Sequence, residues 1–259
     1  MADTKGPINN SSSSVPLMLD IEGQYEEDDL DSELKRDFAY RNNVAGAAKH
    51  IRMGFLRKVY SLLGMQLAIT TVIASICLFT PVIKEFVHSN PWLLMVAFVA
   101  ALGLLIALHV KRKETPINLI LLGAFTVVEA YTLGVLVTFY DVAVVVQAFF
   151  LTAGVVVGLT LYTFQSKRDF SHWGTGLYAG LWLLILAGFM QLIVGGRVAD
   201  TGLAVVGALL FCGFIIFDTH MIMTRVSPEE YIMATIELYL DIVNLFIEIL
   251  KILERVNRK

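Results

Sequence analysis

The sequence predicts an all-α integral membrane protein, with seven transmembrane helices or six plus a re-entrant segment. Three observations carry that reading. Hydrophobic residues make up 56% of the chain and charged residues only 17%, against roughly 45–50% and about 25% in an ordinary soluble domain. The apolar residues gather into runs near the ~20 residues that cross ~30 Å of hydrocarbon. The connections between runs are short, which leaves no room for a soluble domain. Such a composition excludes a soluble enzyme with a water-covered surface. A net charge of −3 without a free basic stripe excludes nucleic acid as a partner. Cys77 and Cys212 both lie deep in apolar runs, so neither a disulfide framework nor a zinc cluster is available.

Residues 1–45 hold Ser11 to Ser14 and an acidic run from Asp20 to Glu33. They bury too little apolar surface to offset their ordering entropy and read as a disordered cytosolic tail. No apolar core with a cleavage site follows Met1, so the first span is expected to direct insertion. Asn9 and Asn10 sit in glycosylation sequons, which matter only if the tail is lumenal. In residues 46–58, Lys49, Arg52, Arg57 and Lys58 alternate with Ile51, Met53, Phe55 and Leu56, the composition of a basic interfacial helix. The membrane domain is then 59–259. Its apolar runs fall at 59–80, 92–110, 117–139, 142–164, 174–194 and 203–222, and a seventh, acid-bearing segment covers 228–253. Pro81, Pro91 and Pro116 stand at segment edges, where a missing N–H matters least.

Orientation follows the basic residues flanking the spans. Lys49, Arg52, Arg57 and Lys58 precede the first. Lys111, Arg112 and Lys113 join the second to the third, and Lys167 and Arg168 join the fourth to the fifth. The opposite loops carry Lys84 alone, none, and Arg197 alone, so the amino terminus is expected in the cytosol. The carboxyl tail, with Lys251, Arg255, Arg258 and Lys259, breaks the pattern if the seventh segment crosses, and keeps it if that segment re-enters.

Five acids lie inside these segments, Glu129, Asp218, Glu237, Asp241 and Glu248, with no Lys or Arg in any interior. A carboxylate at a helix centre costs about 2.5–3.5 kcal/mol on insertion scales, so each needs a counter-charge. The candidates are protons, dissolved metal ions, and basic groups reaching in from the ends, of which Arg112 and Lys251 are nearest. Ser227-Pro228-Glu229-Glu230 reads as a capping box with proline at the first helical position, so the last helix is expected to start there. From it, Glu230, Glu237, Asp241, Asn244 and Glu248 recur at spacings of 7, 4, 3 and 4, one polar stripe on an apolar helix. Such a stripe either hydrogen-bonds neighbouring helices or faces a hydrated ion path; the three carboxylates inside the segment, Glu237, Asp241 and Glu248, favour the path.

Asp218 lies near the end of the preceding span, and the short turn makes the two helices antiparallel neighbours. Asp218 and Asp241 in contact share a proton. Counting from the turn, however, leaves them about 10 Å out of step. Glu129 has threonines three residues to either side, Thr126 and Thr132, and reads equally as a buried hydrogen-bonded acid and as a pore-lining one.

The stretch Gly207-Ala208-Leu209-Leu210-Phe211-Cys212-Gly213-Phe214-Ile215-Ile216-Phe217-Asp218-Thr219-His220, with Ser227-Pro228-Glu229-Glu230-Tyr231 and Leu238-Tyr239-Leu240-Asp241-Ile242-Val243-Asn244-Leu245-Phe246, resembles the transmembrane Bax-inhibitor-motif (Lifeguard) family. His50-Ile51-Arg52-Met53, Phe55 to Tyr60, and Val137-Thr138-Phe139-Tyr140-Asp141-Val142 look most like its Golgi anti-apoptotic branch. The likeness covers everything from about residue 40 onward. It implies seven helices with the last one central, and a calcium leak from Golgi or reticulum stores that dampens apoptosis. It also implies a pH-sensing latch of Asp218 and Asp241, with Arg112 as basic partner, and ion conduction through Glu229 and Asp241.

Together these readings give a pH-sensitive, calcium-permeable leak channel of the Golgi membrane, and of the endoplasmic reticulum. Its latch is Asp218, Asp241 and Arg112. Its ion path is Glu229, Glu237, Asp241, Asn244, Glu248 and Glu129. Asp218 and Asp241 are also candidate calcium ligands, since hard cations take oxygen donors. Calcium is cargo here and no cofactor is expected; the partners are calcium, protons and the lipid bilayer. The rival is a non-conducting scaffold that regulates calcium-release channels or Bcl-2-type death-pathway proteins. An intramembrane aspartyl hydrolase also needs two aspartates, but the glycine-containing motif of such enzymes is missing at Leu240-Asp241, so no enzymatic activity is expected.

Overall fold

The computed structural model describes residues 49–194 and 197–257. The tail at 1–45, with its sequons, lies outside the described residues. Among the described residues, all regular structure is helical. It comprises α1 (Lys49–Phe79), α2 (Pro81–Ser89), α3 (Trp92–Lys111), α4 (Ile117–Val137), α5 (Val142–Gln165), α6 (Gly174–Val194), α7 (Arg197–Thr224) and α8 (Tyr231–Asn257). Short 3-10 turns at Ser171–Trp173 and Pro228–Glu230 precede α6 and α8. Among the described residues six helices, α1 and α3 to α7, are long and apolar enough to cross a membrane. At 27 residues α8 is about 40 Å long, also sufficient, though it carries too many charges to stand in lipid alone.

Three local differences from the sequence reading have physical causes. The basic segment is not a separate helix: α1 runs unbroken for 31 residues. No proline interrupts it, and Phe55 and Val59 are buried in the bundle, which ties its start to the core. The first connection holds a short helix, α2, opened by Pro81 and anchored by buried Val87. The Ser227 box opens a 3-10 turn, and α8 begins only at Tyr231. The Glu230 carboxylate pairs with Arg112 at 3.4 Å, and Ser227 Oγ accepts from the Glu229 N–H at a long 3.5 Å.

Helix α8 is central. It packs against α7, α5 and α1, and more lightly against α3 and α4. Ile232, Ile236, Leu238, Tyr239, Leu245 and Leu250 are almost fully buried along it. In lipid its acids would each be penalised, and the more apolar helices packed around it cover most of its surface. Neutral hydrogen bonds tie it in. The Tyr239 hydroxyl lies 2.9 Å from Thr70 Oγ1 on α1, and Asn118 Nδ2 on α4 donates to the Tyr231 hydroxyl at 3.1 Å. Beside them Gln66 Nε2 donates to Thr126 Oγ1 at 2.9 Å, joining α1 to α4. Helix α6 is peripheral and packs chiefly on α7. A Cβ at Gly213 of α7 would stand 2.8 Å from Leu177 of α6, and one at Gly180 of α6 the same distance from Leu210 of α7. The two leucines fill the space that the missing side chains leave, which brings the backbones close.

Candidate functional site

Asp218 on α7 and Asp241 on α8 are both 8% exposed, and their carboxyls are in hydrogen-bonding contact. A hydrogen bond between two carboxyls requires that one of them carry a proton, because an ionised carboxylate only accepts. Asp241 Oδ2 is buried without a hydrogen-bond partner. The register problem is eased by the connection. With α8 beginning at Tyr231, Asp241 is ten residues into its helix, and Asp218 is six from the end of α7. The offset falls to about 6 Å, and helix ends need not be level.

The rest of the stripe divides around this pair. Glu237 is exposed and lies, with Asp218 and Asp241, within electrostatic range of Tyr178 on α6. Asn244 and Glu248, one and two turns beyond Asp241, line a cavity of about 660 Å³. Leu181, Leu184 and Ile185 of α6 and Phe211 of α7 form its apolar wall. Tyr140, Gln191, Lys251 and Arg255 complete its polar side. The cavity therefore opens where α8 ends and stops about one turn short of the aspartates. Among the described residues no three His, Cys, Asp or Glu side chains converge into a set that could hold a metal ion. The pair supplies two carboxyls and no third ligand of these types among the described residues.

Arg112 is not placed on the aspartates. Its ion pair is with Glu230, and Lys113 pairs with Glu229 at 3.3 Å. Lys58 of α1 adds its ammonium over the Tyr231 ring, 3.3 Å from the centroid. These contacts form a charged collar where α8 begins, at the opposite end from the cavity. Glu129 is also apart from the pair. It is half-buried on α4 and within electrostatic range of Tyr239, whose hydroxyl faces α1. At the same end as the collar, Asp169 accepts from the Ser171 N–H at 2.9 Å and contacts His220 at 3.0 Å and Arg225 at 3.5 Å. Hydrogen bonding from Ser171, then the histidine and the arginine, holds its carboxyl well below the usual range.

Sequence reasoning missed Tyr178, the cavity residues outside α8, and the Lys58–Tyr231 contact. A tyrosine in an apolar run gives no signal of the acids it will face. Lys113 was visible as a loop charge, but its pairing with Glu229 depends on how the α3–α4 loop meets the turn before α8.

A family profile described as "Inhibitor of apoptosis-promoting Bax1" matches residues 52–258, nearly all of the helical part. The chain belongs to this family. Among Bax-inhibitor relatives it is 52% identical to protein lifeguard 4 of Mus musculus over 228 residues, 88% of this chain and 96% of that one. It is 47% identical to the Golgi anti-apoptotic protein of Vaccinia virus (strain Lister), with the same coverage. With Bax inhibitor 1 of Schizosaccharomyces pombe it shares 43% over 231 residues, 89% of this chain and 87% of that one. As a Bax-inhibitor (Lifeguard) protein it is a multi-pass membrane protein of a non-enzymatic family.

Proposed function

We propose that this Lifeguard protein is a calcium-permeable leak of intracellular membranes that lowers store calcium and thereby restrains apoptosis. The observation that carries the reading is the contact between Asp218 and Asp241 one turn from a polar-lined cavity. When the two share a proton they hold α7 and α8 together and the path is closed. Losing that proton leaves two like charges in a site with little water, and repulsion with hydration opens it. Calcium then passes Glu248, Asn244, Asp241 and Glu237 in turn and leaves beside the collar at Glu229. Glu129, across Tyr239 from the pair, tunes the field along α8. Arg112 holds the collar through Glu230 and so acts on the latch only by fixing where α8 begins.

The basic loops at the collar end support a cytosolic amino terminus, with the collar on the same side and the cavity toward the store. The name of the viral relative, the Golgi anti-apoptotic protein, points to the Golgi membrane, and the endoplasmic reticulum is a second site for the same activity. The test is calcium flux into liposomes holding purified protein, measured across pH. Flux should rise as pH rises, and Asp241→Asn and Asp218→Asn should each abolish that pH dependence. Flux that keeps the wild-type pH profile in both variants overturns the latch, and absence of any wild-type flux replaces the channel with the scaffold.

A further inference from the structure

We propose that the store-side cavity is a cation-binding vestibule whose resident cation is the protein's own Lys251, and that a permeating divalent ion must displace it. The inference rests on the leak reading and names a regulator of its path. The Glu248 side chain is only 13% exposed, yet its Oε1 lies 2.9 Å from Lys251 Nζ, whose side chain is 46% exposed. The carboxylate is thus sheltered while the ammonium reaches it from the open side. Its position is set by Gly207 on α7. A Cβ there would stand 3.0 Å from Glu248 Cγ and 3.1 Å from Cδ, tighter than side chains normally pack. The glycine leaves a notch in which the acid lies against the neighbouring helix and points into the cavity.

Glu248 and Asn244, both lining the cavity, are one turn apart on the same face. With water they offer the oxygen donors that a hard divalent cation takes. One carboxylate is too few for tight capture, and conduction requires a site weak enough to leave. A tethered ammonium occupies that carboxylate when calcium is low and is displaced as calcium rises. Leak is then self-limiting: it falls as the store empties, because Lys251 returns to Glu248.

Two measurements test this. In nanodiscs, the rate of Lys251 acetylation by an N-hydroxysuccinimide ester, read by peptide mass spectrometry, should rise with added calcium and not with added potassium. In Glu248→Gln the rate should be high throughout and insensitive to calcium. In liposomes, Lys251→Met should lower the calcium concentration giving half-maximal flux by up to about fivefold, the range an ion pair of this exposure supports. Lys251→Arg should keep the wild-type value, and Gly207→Ala, which pushes Glu248 out of its notch, should move toward Lys251→Met. A Lys251 acetylation rate unchanged by calcium, or a Glu248→Gln rate that still responds, overturns the proposal. Wild-type flux with no acetylation response leaves the leak standing and removes the vestibule; an acetylation response without flux does the reverse.

Discussion

Tyr239 has no exposed surface, and its hydroxyl meets Thr70 at 2.9 Å while its ring meets Phe125 edge-on at 6.3 Å. Thr70 Oγ1 also lies 2.8 Å from the Gln66 carbonyl, to which it donates. Tyr239→Phe therefore leaves Thr70 with an acceptor, and it should lower stability by about 0.6 kcal/mol, the average for interhelical hydrogen bonds in membranes. Tyr239→Ala removes the ring from a closed site and should lose about 3–5 kcal/mol. Thermal unfolding in micelles separates the two. Asp169 gives a pH-dependent counterpart. Its carboxyl is held below the usual range, so its contribution is complete above the ordinary aspartate value of about 3.9 and fades as pH falls below it. Asp169→Asn should show a lower Tm than wild type at neutral pH, and the gap should close on acidification below that value. At this scale the sequence was informative about which residues are unusual. Asp218, Asp241 and Glu248 stood out as membrane acids without a membrane base. It said nothing of Tyr178 or Gly207, whose roles exist only against neighbours on other helices.

The ends of the apolar segments were legible because length, apolarity and proline position are local properties. The start of α8 was not, since the Glu230 side chain that a capping box needs is taken by Arg112 from another loop. That collar is measurable. Removing both cations with Arg112→Gln and Lys113→Gln should lower stability by up to about 1 kcal/mol per pair, because the groups are partly solvated. The Tm of wild type should fall with salt more steeply than that of the double variant. On the α6–α7 contact, Gly213→Val places branched atoms where Leu177 sits, 2.8 Å from the Cβ position. It should destabilise by about 1–3 kcal/mol, and Gly213→Ala by less, since the leucine tip can turn aside.

The described helices surround the most polar one, α8, and bury most of its apolar side chains. Among the described residues six helices meet the length and apolarity needed to cross alone, and α8 does not. A segment covering α8, fused into a reporter and presented to the translocon by itself, should insert poorly, because each central acid costs about 2.5–3.5 kcal/mol. In the full chain the same helix should be protected from aqueous probes at Leu238, Tyr239 and Leu245. Efficient insertion of the isolated segment would show that the surrounding helices are not what holds α8 in place.

The sequence by itself determined that the protein lives in a membrane, how many apolar helices it has and near which residues each of them ends. It also determined that its interior charges are all acidic. These follow from composition and periodicity, which act residue by residue along the chain. Only the tertiary structure decided that Asp218 meets Asp241, that Arg112 serves the collar rather than the pair, and that Glu248 lies in the notch at Gly207 under Lys251. Those depend on where one helix starts relative to another, a distance set by packing between segments far apart in the chain.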